Sequence, residues 1–558
     1  MRDVVVVGSG HNALVGACYL AREGLDVEVV ERDTVLGGAV STVERWPGYA
    51  VDRGSSAHIM IRHTGIVEDL DLADCGLRYL DMDPWGFAPF GPPDEQVALT
   101  FFVDLERTCA SIEAVCGARD ADAYRAFALD WGARNQAIFQ AFQGVPTFGR
   151  IGRHIVSAGR VAKRNGATGL EMSREFLLPG DHLLDEHFTD ERLKTALSWL
   201  GAQSGPPSHE VATGDLVGWN PMMHLLPPGR AVGGSGSLTK ALAERLRRLG
   251  GTLRLGDGAA AITRGVDGAV DAVRTTSRQR IATRAVLAGC HVLTTFELLG
   301  DAALLDRVRT RVRIGNGLGM VVRLGTTDLP RYPALATTAT TRASQSATAD
   351  GAGSPPYGDG AGSSPYGALQ LLAPSRMALR RAHGEFVAGA PPTDPAVLVM
   401  SFSAIDPTIA PPGRHNITAW AQWHPYALSN GENWDDIRDR EGEKIIAQVE
   451  KLAPGFTDRI EHVHVQTPLD LERELGLRRG NVMHVEMGLD AMFMYRPLPE
   501  LAGYRSGVDG LYLTGASMHP GGGVFGASGR TAARVLLADR SPGPLARSGR
   551  AIRTLARR

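Results

Sequence analysis

Cysteine, net charge and long apolar runs are all scarce in this sequence. Its five cysteines, Cys18, Cys75, Cys109, Cys116 and Cys290, are scattered through apolar stretches and form no C-x-x-C or C-x-x-x-x-C pair. That pattern suits reduced core thiols and argues against a redox disulfide. Histidine and cysteine show no metal-ligand spacing. A net charge of -2 gives no electrostatic reason to expect a nucleic-acid partner. No apolar run approaches the roughly 20 residues that span a bilayer. No leader peptide fits either, because an apolar strand and a glycine turn begin almost at Met1, so a cytoplasmic protein is expected. Glycine is what the sequence has in quantity, 67 in 558 residues. Such a length allows more than one domain, and the glycines cluster where chemistry is expected.

The first cluster organises the chain. Val4-Val5-Val6-Val7 cannot be one face of a helix and reads as a strand buried on both sides of a parallel sheet. Gly8 permits the tight turn that follows, Gly10 lets backbone approach a diphosphate, and Ala13 is the small residue where the next helix packs. Asn12 lies in the same turn. A helix over about residues 12–23 would present free N–H groups and its positive dipole end to the phosphates. A second strand, Val27–Val30, ends on Glu31, suited to bonding both hydroxyls of an adenosine ribose. Arg32 follows it. Gly37-Gly38-Ala39 adds a second close approach of backbone to cofactor and favours FAD over NAD. Asp52-Arg53-Gly54-Ser55 reads as a turn over the flavin side, with His58 facing flavin or substrate, or else serving as a structural histidine.

Beyond residue 60 the strand–helix alternation lapses. Amphipathic helices dominate to about residue 224, as in 120–143, with apolar marks at Tyr124, Phe127, Trp131, Ile138 and Phe142. The run Phe148–Arg164 interleaves basic and aliphatic residues without one acid. It is either a solvated cationic helix or an interfacial segment touching anionic lipid. Gly234-Ser235-Gly236 is not a second nucleotide turn, because two prolines and no apolar strand precede it. Residues 252–255, 259–262 and 285–289 read as further strands of the cofactor domain, the latter two buried. Residues 330–367 form a low-complexity Gly/Ser/Pro/Ala tract expected to be a mobile loop. Strands near 397–402 and 417–421 suggest a mixed sheet walling a substrate chamber. A last buried strand ends at Gly515, and the run Gly521-Gly522-Gly523-Val524 opens a helix over about 524–537, a second helix start aimed at the cofactor. The end, 541–558, is arginine-rich and reads as a frayed basic tail capable of weak membrane contact.

Three motifs taken together, Val7-Gly8-Ser9-Gly10-His11-Asn12-Ala13-Leu14 with Glu31 and Gly37-Gly38, Pro228-Gly229 with Gly233-Gly234, and Leu511 to Val524, resemble the phytoene-desaturase-like FAD oxidoreductases of the wider amine-oxidase-type flavoprotein superfamily. Gly480 to Glu486 and Arg496-Pro497 are similar to that family too. The resemblance implies an α/β fold: a discontinuous Rossmann-type FAD domain (1–60, 225–300, 500–540) with an inserted mixed-sheet-plus-helices substrate domain (61–224, 301–499). It implies non-covalent FAD. Gly8, Gly10, Asn12 and Ala13 would hold the diphosphate and Glu31 the ribose. Arg32, Gly37, Gly38 and Ala39 would run along the diphosphate, with Ser55 near it. Ala259 stands where the family places a valine whose backbone meets adenine. Gly515, Ala516, Gly522, Gly523, Val524 and Ala527 would line the flavin. The implied substrate is a lipophilic small molecule such as a polyene, in some members a natural product, which is desaturated, saturated or cyclised by hydride transfer at flavin N5. NADPH is a candidate transient reductant.

Such chemistry needs a dry, well-positioned site more than an acid–base pair. His58, Trp219, His484, Tyr495, Arg496 and His519 are the candidates for substrate contact or proton handling. Two alternatives stay open at this point: an amine or amino-acid oxidase of similar fold, and a non-catalytic carrier of prenylated proteins.

Overall fold

The computed structural model describes residues 1–164, 169–335 and 364–540. Of the mobile loop expected over 330–367, residues 336–363 lie outside them, while its ends are ordered, with Tyr332 buried and Pro365–Gly367 in a 3-10 turn. The basic end at 541–558, expected as a frayed tail, also lies outside them.

Strand β1 (Val4–Val7) is buried throughout, as its four consecutive valines require. Helix α1 (His11–Arg22) follows directly, and β2 (Val27–Val30) returns parallel to β1. Three distant stretches complete a five-stranded parallel sheet, in the order Leu511–Leu513, Val286–Ala288, β1, β2, Thr252–Arg254. The two ends of the chain therefore meet in one sheet. Above it α1 crosses the helix Ala527–Arg540 at very close range, and small residues are the reason. A Cβ on Gly16 would lie 3.2 Å from the Gly529 carbonyl oxygen, and one on Gly529 would overlap the Asn12 carbonyl.

The second large sheet has seven strands, in the order Ile460–Gln466, Gly319–Thr326, His415–Gln422, Val397–Met400, Leu369–Leu372, Gly86–Phe90, Val97–Phe101. Its pairings are antiparallel except that of Leu369–Leu372 with Gly86–Phe90, so the sheet is mixed. Helices between residues 105 and 225 pack beside it around Tyr124, Phe127, Trp131 and Trp199, all buried. The helix expected over 120–143 runs Ala118–Phe139 and tightens into a 3-10 turn at Gln140–Gln143.

Two expectations change. Ala259–Arg264 is not a strand of the parallel sheet but the edge of a separate three-stranded antiparallel sheet, and of its first four residues only Ile262 is buried. Alanine runs look apolar, but a small side chain gains little from burial and tolerates an edge. The last helix starts at Ala527, three residues later than expected, because Gly526 with φ +68 cannot continue inward from the glycine run as helix. No helix among the described residues is long and apolar enough to cross a membrane.

Candidate functional site

A cavity of about 560 Å³ lies between the parallel sheet and the seven-stranded sheet. Its wall includes Gly8, Gly10, Asn12, Ala13, Glu31, Arg32, Gly37, Gly38, Ala39, Ser55 and Ala259, and also Gly515, Ala516, Gly522, Gly523 and Val524. Residues from both ends of the chain thus face one space. Ala527 is absent from that wall and packs instead against Phe139, Phe142 and Phe525.

The turn after β1 is built for an anion. Gly8 holds φ +95, a conformation costly to any residue with a Cβ. A Cβ on Gly10 would meet nothing within 4 Å, so its backbone opens onto the cavity. No side chain caps α1 and no acid stands in its first turn, leaving N–H groups unpaired at its start. Two buried polar atoms there, Asn12 Oδ1 and His11 Nε2, have no protein partner. A buried polar atom left unpaired costs about 1–3 kcal/mol. Rotating the Asn12 amide exchanges its oxygen for an N–H donor suited to a phosphate oxygen. Open glycine backbone, an uncapped helix start and unpaired polar atoms together fit a dinucleotide diphosphate.

Glu31 is engaged by protein donors. Its Oε2 accepts the Ser9 N–H at 2.7 Å and the Ser9 hydroxyl at 2.9 Å, and its Oε1 accepts the Asp33 N–H at 2.9 Å. A carboxylate has about four acceptor sites. In this arrangement one remains for a ligand hydroxyl. Ser9 Oγ in turn accepts the Gly37 N–H at 3.0 Å, so the acid stitches the two glycine turns together.

Of the candidate catalytic side chains only His484 lies on this wall. His58 does not face flavin or substrate. It is fully buried, with Nδ1 2.8 Å from the Tyr79 hydroxyl and Nε2 2.8 Å from Ser235 Oγ, and burial pushes its pKa down to about 3. Trp219 packs on Phe142, ring centroids 5.5 Å apart, away from the cavity. Tyr495 is 45% exposed and off the wall. His519 is buried between Phe142 and Phe493, and burial drives its pKa to about 3. Arg496 is buried behind the wall and donates to the carbonyls of Ala516 and Met483, each at 2.7 Å, and of Glu486 at 3.0 Å. It holds the segment from Met483 onto the strand end at Ala516, while burial pushes its pKa down to about 9.

The opposite wall is the mixed sheet expected from the strands near 397–402 and 417–421, although its individual side chains had been given no role. Val321, Met400, Thr418 and Trp420 of the seven-stranded sheet close the cavity, and Val321 pairs across the sheet with Trp420. Thr418 and Trp420 share a face at a spacing of two, the one signal available in advance. His11, Cys290 and His291 also line the cavity and had been given no role. The charged wall residues are Glu31, Arg32, Asp33 and Glu474, all at the β2 end or on the 474–477 segment. Burial keeps His11 and His291 neutral, each pushed down to about 4, and holds His484 far below its ordinary value. The cavity is therefore charged at one end and uncharged along the sheet. All five cysteines are free thiols, and no metal-binding cluster occurs among the described residues.

Comparison with known proteins agrees with this geometry. Residues 6–70 match the NAD(P)-binding Rossmann-like domain. Mouse pyridine nucleotide-disulfide oxidoreductase domain-containing protein 2 is 28% identical, covering 96% of this chain and 93% of its own. A limonene dehydrogenase polypeptide of Castellaniella defragrans is 24% identical over 96% and 94% of the two chains. Phytoene dehydrogenase of Streptomyces griseus is 26% identical over 93% and 92%. Among solved structures, an oxidoreductase from Methanosarcina mazei superposes with a TM-score of 0.59 at 14% identity, covering 97% of this chain and all of that one. Cyclohexylamine oxidase from Brevibacterium oxydans gives 0.56 at 14% identity, over 97% and 99%. These two show a shared fold.

Proposed function

We propose that this chain, an oxidoreductase that belongs to the phytoene-desaturase-like group of the FAD-dependent amine-oxidase superfamily, transfers hydride between a lipophilic, polyene- or terpene-like substrate and FAD. The observation that carries the reading is one continuous cavity, lined at one end by diphosphate-type glycine turns and closed at the other by uncharged sheet residues. Limonene dehydrogenase and phytoene dehydrogenase, both similar along nearly the whole chain, are named for hydrocarbon substrates and support it.

The Gly8–Ala13 turn and the α1 N–H groups would hold the diphosphate, Glu31 a ribose hydroxyl, and Gly515, Ala516, Gly522 and Gly523 the flavin side. Bound FAD supplies a two-electron acceptor. The protein's own contribution is position and dryness. Trp420, Met400 and Val321 exclude water from the sheet side, and the neutral imidazoles of His11, His291 and His484 add no charge to the rest of the wall. An amine oxidase is the rival. Among the described residues the sheet side offers one aromatic ring, Trp420, and no carboxylate, which favours a hydrocarbon.

Colour is the first test. The purified protein should be yellow and release FAD on heating; a colourless protein that cannot be reconstituted sinks the proposal. Anaerobic bleaching of the flavin band by polyenes or terpenes supports it, whereas bleaching by simple amines with peroxide release in air replaces it with the rival. Reduction by NADPH in the same assay identifies the electron partner.

For location, we propose that the helix Phe148–Arg164 rests on an anionic membrane surface. Phe148, Ile155 and Val156 are 78%, 49% and 54% exposed, beside exposed Arg153, Arg160 and Lys163. That combination matches an interfacial helix and the reservoir of a lipophilic substrate.

A further inference from the structure

A second cavity of about 530 Å³ adjoins the first and shares one lining residue with it, Met483. We propose that this second cavity receives the far part of an elongated apolar substrate whose end group donates a hydrogen bond, and that the Met483 side chain is the movable partition between the two spaces. The proposal rests on the hydride-transfer reading above and deepens it.

The two spaces meet at this residue. Gln203 faces the cofactor cavity, while its neighbour Ser204 faces the second. The Met483 sulfur lies so close against Gly522 that a Cβ there would overlap it. The Met483 backbone is pinned on both sides, its N–H donating to Asn481 Oδ1 at 2.8 Å and its carbonyl accepting from Arg496 at 2.7 Å. The thioether is not pinned. An unbranched side chain with three rotatable bonds changes rotamer at small cost. A fixed backbone carrying a free methionine can open a passage without disturbing the cofactor loop.

The second cavity also has the right grading. Its floor is Leu318, Trp423 and Met487, all buried, and Trp423 is locked by its indole N–H donating to the Gly205 carbonyl at 3.0 Å. Its mouth carries Glu210, Arg313, Glu486 and Asp490, whose side chains are all at least 40% exposed. Arg313 is taken up by Glu486 and Asp490. Glu210 has no arginine or lysine partner among the described residues. Its nearest base is His383 at 3.9 Å, which burial holds neutral, pushed down to about 4. The surplus acceptor at the mouth favours a hydroxyl or amine end group and repels a carboxylate.

The test uses the FAD-loaded full chain and a matched pair of fluorescent conjugated tetraenes, parinaryl alcohol and parinaric acid. The alcohol should bind about tenfold more tightly than the acid. Glu210→Gln, at an exposed side chain, should bring the pair to within about threefold of each other. Leu318→Trp, which fills the second cavity, should weaken the alcohol about tenfold with FAD content unchanged. Met483→Trp should keep alcohol binding but abolish the perturbation of the flavin absorption band that the alcohol causes in the wild type. Equal binding of alcohol and acid in the wild type, or a flavin perturbation that survives Met483→Trp, overturns the proposal. In either case FAD remains bound and the oxidoreductase reading stands; absence of FAD removes that reading instead. Should Leu318→Trp fail to fold, the Glu210→Gln comparison decides alone.

Discussion

Ser517 Oγ lies 3.3 Å from His484 Nδ1, within reach of a hydrogen bond to the ring. The same oxygen accepts the Val292 N–H at 3.2 Å, so the serine proton is free to point at the imidazole. Nδ1 is then the acceptor and Nε2 carries the hydrogen. His291, stacked on His484 at 5.5 Å, accepts the Leu293 N–H through Nδ1 at 3.1 Å and donates through Nε2 to the His484 carbonyl at 2.9 Å. His484 also sits at φ +66, a conformation that costs a non-glycine residue energy and tends to mark functional positions.

The first prediction follows from that relay. His484 offers the flavin end a neutral N–H donor, so His484→Ala should weaken FAD binding about tenfold, the worth of one good hydrogen bond at about 1.4 kcal/mol. Ser517→Ala should act in the same direction but less. Flavin fluorescence on titration of the apoprotein measures both. Unchanged FAD affinity in both variants would show that His484 has no contact with the cofactor.

A second prediction concerns acid. His58 and His519 are pushed down to about 3 by burial, and His11 and His291 to about 4. An unfolded histidine titrates near 6.5. Below that pH the unfolded chain binds protons that the native chain refuses, so native stability falls as pH drops through 6.5 and keeps falling toward the folded values. Each histidine contributes about 1 kcal/mol of loss by a pH about one unit below 6.5. The urea midpoint should therefore be lower at pH 5.5 than at pH 7.5, before most carboxylates titrate. A flat midpoint across that interval contradicts the buried, neutral state of these rings.

The crossing of α1 with the last helix gives a third. Gly529→Ala places a methyl group into the Asn12 carbonyl, and backbone cannot swing aside as a side chain would. Overpacking of this kind costs about 1–3 kcal/mol or more. Because Asn12 lies in the phosphate turn, FAD affinity should fall together with the denaturation midpoint. Gly384→Ala is the control. It lies inside the helix Arg376–Val387 with nothing within 4 Å of the new Cβ, and should stabilise by about 0.5–1 kcal/mol. Equal behaviour of the two variants would refute the close crossing.

These residues also show what the sequence could and could not disclose. The turn from Val4 to Glu31 is legible because every interaction in it is local: a buried strand, a glycine bend, a helix start and an acid, all within one strand–helix–strand unit. The opposite wall is legible only as a mixed sheet near 397–402 and 417–421; its facing side chains are not, because Val321 faces Trp420 only through a strand pairing about a hundred residues apart in the chain. His58 and His519 drew attention as uncommon residues beside glycine motifs. Only the fold reveals that Tyr79 and Ser235 already occupy one ring and that aromatic packing encloses the other. Arg496 was noticed for the Arg496-Pro497 resemblance, and in the fold it holds carbonyls behind the site. Met483 lies in a segment that resembles the family, but nothing in the sequence marks it as facing two cavities, since it looks there like any core methionine.

The helix Phe148–Arg164 yields a prediction separable from the chemistry. Its exposed Arg153, Arg160 and Lys163 would each gain about 1 kcal/mol at an anionic leaflet, and its exposed Phe148, Ile155 and Val156 would add apolar burial. Salt screens the first contribution and leaves the second, so binding should weaken as ionic strength rises without vanishing. The protein should therefore sediment with vesicles containing phosphatidylserine and remain largely in solution with pure phosphatidylcholine. Phe148→Glu combined with Ile155→Glu should reduce that sedimentation severalfold, while leaving FAD content and the urea midpoint unchanged, because both side chains already face solvent. Equal sedimentation with both lipids, or no change in the double variant, would leave this helix as an ordinary solvated one and require the substrate to reach the cavity by another route.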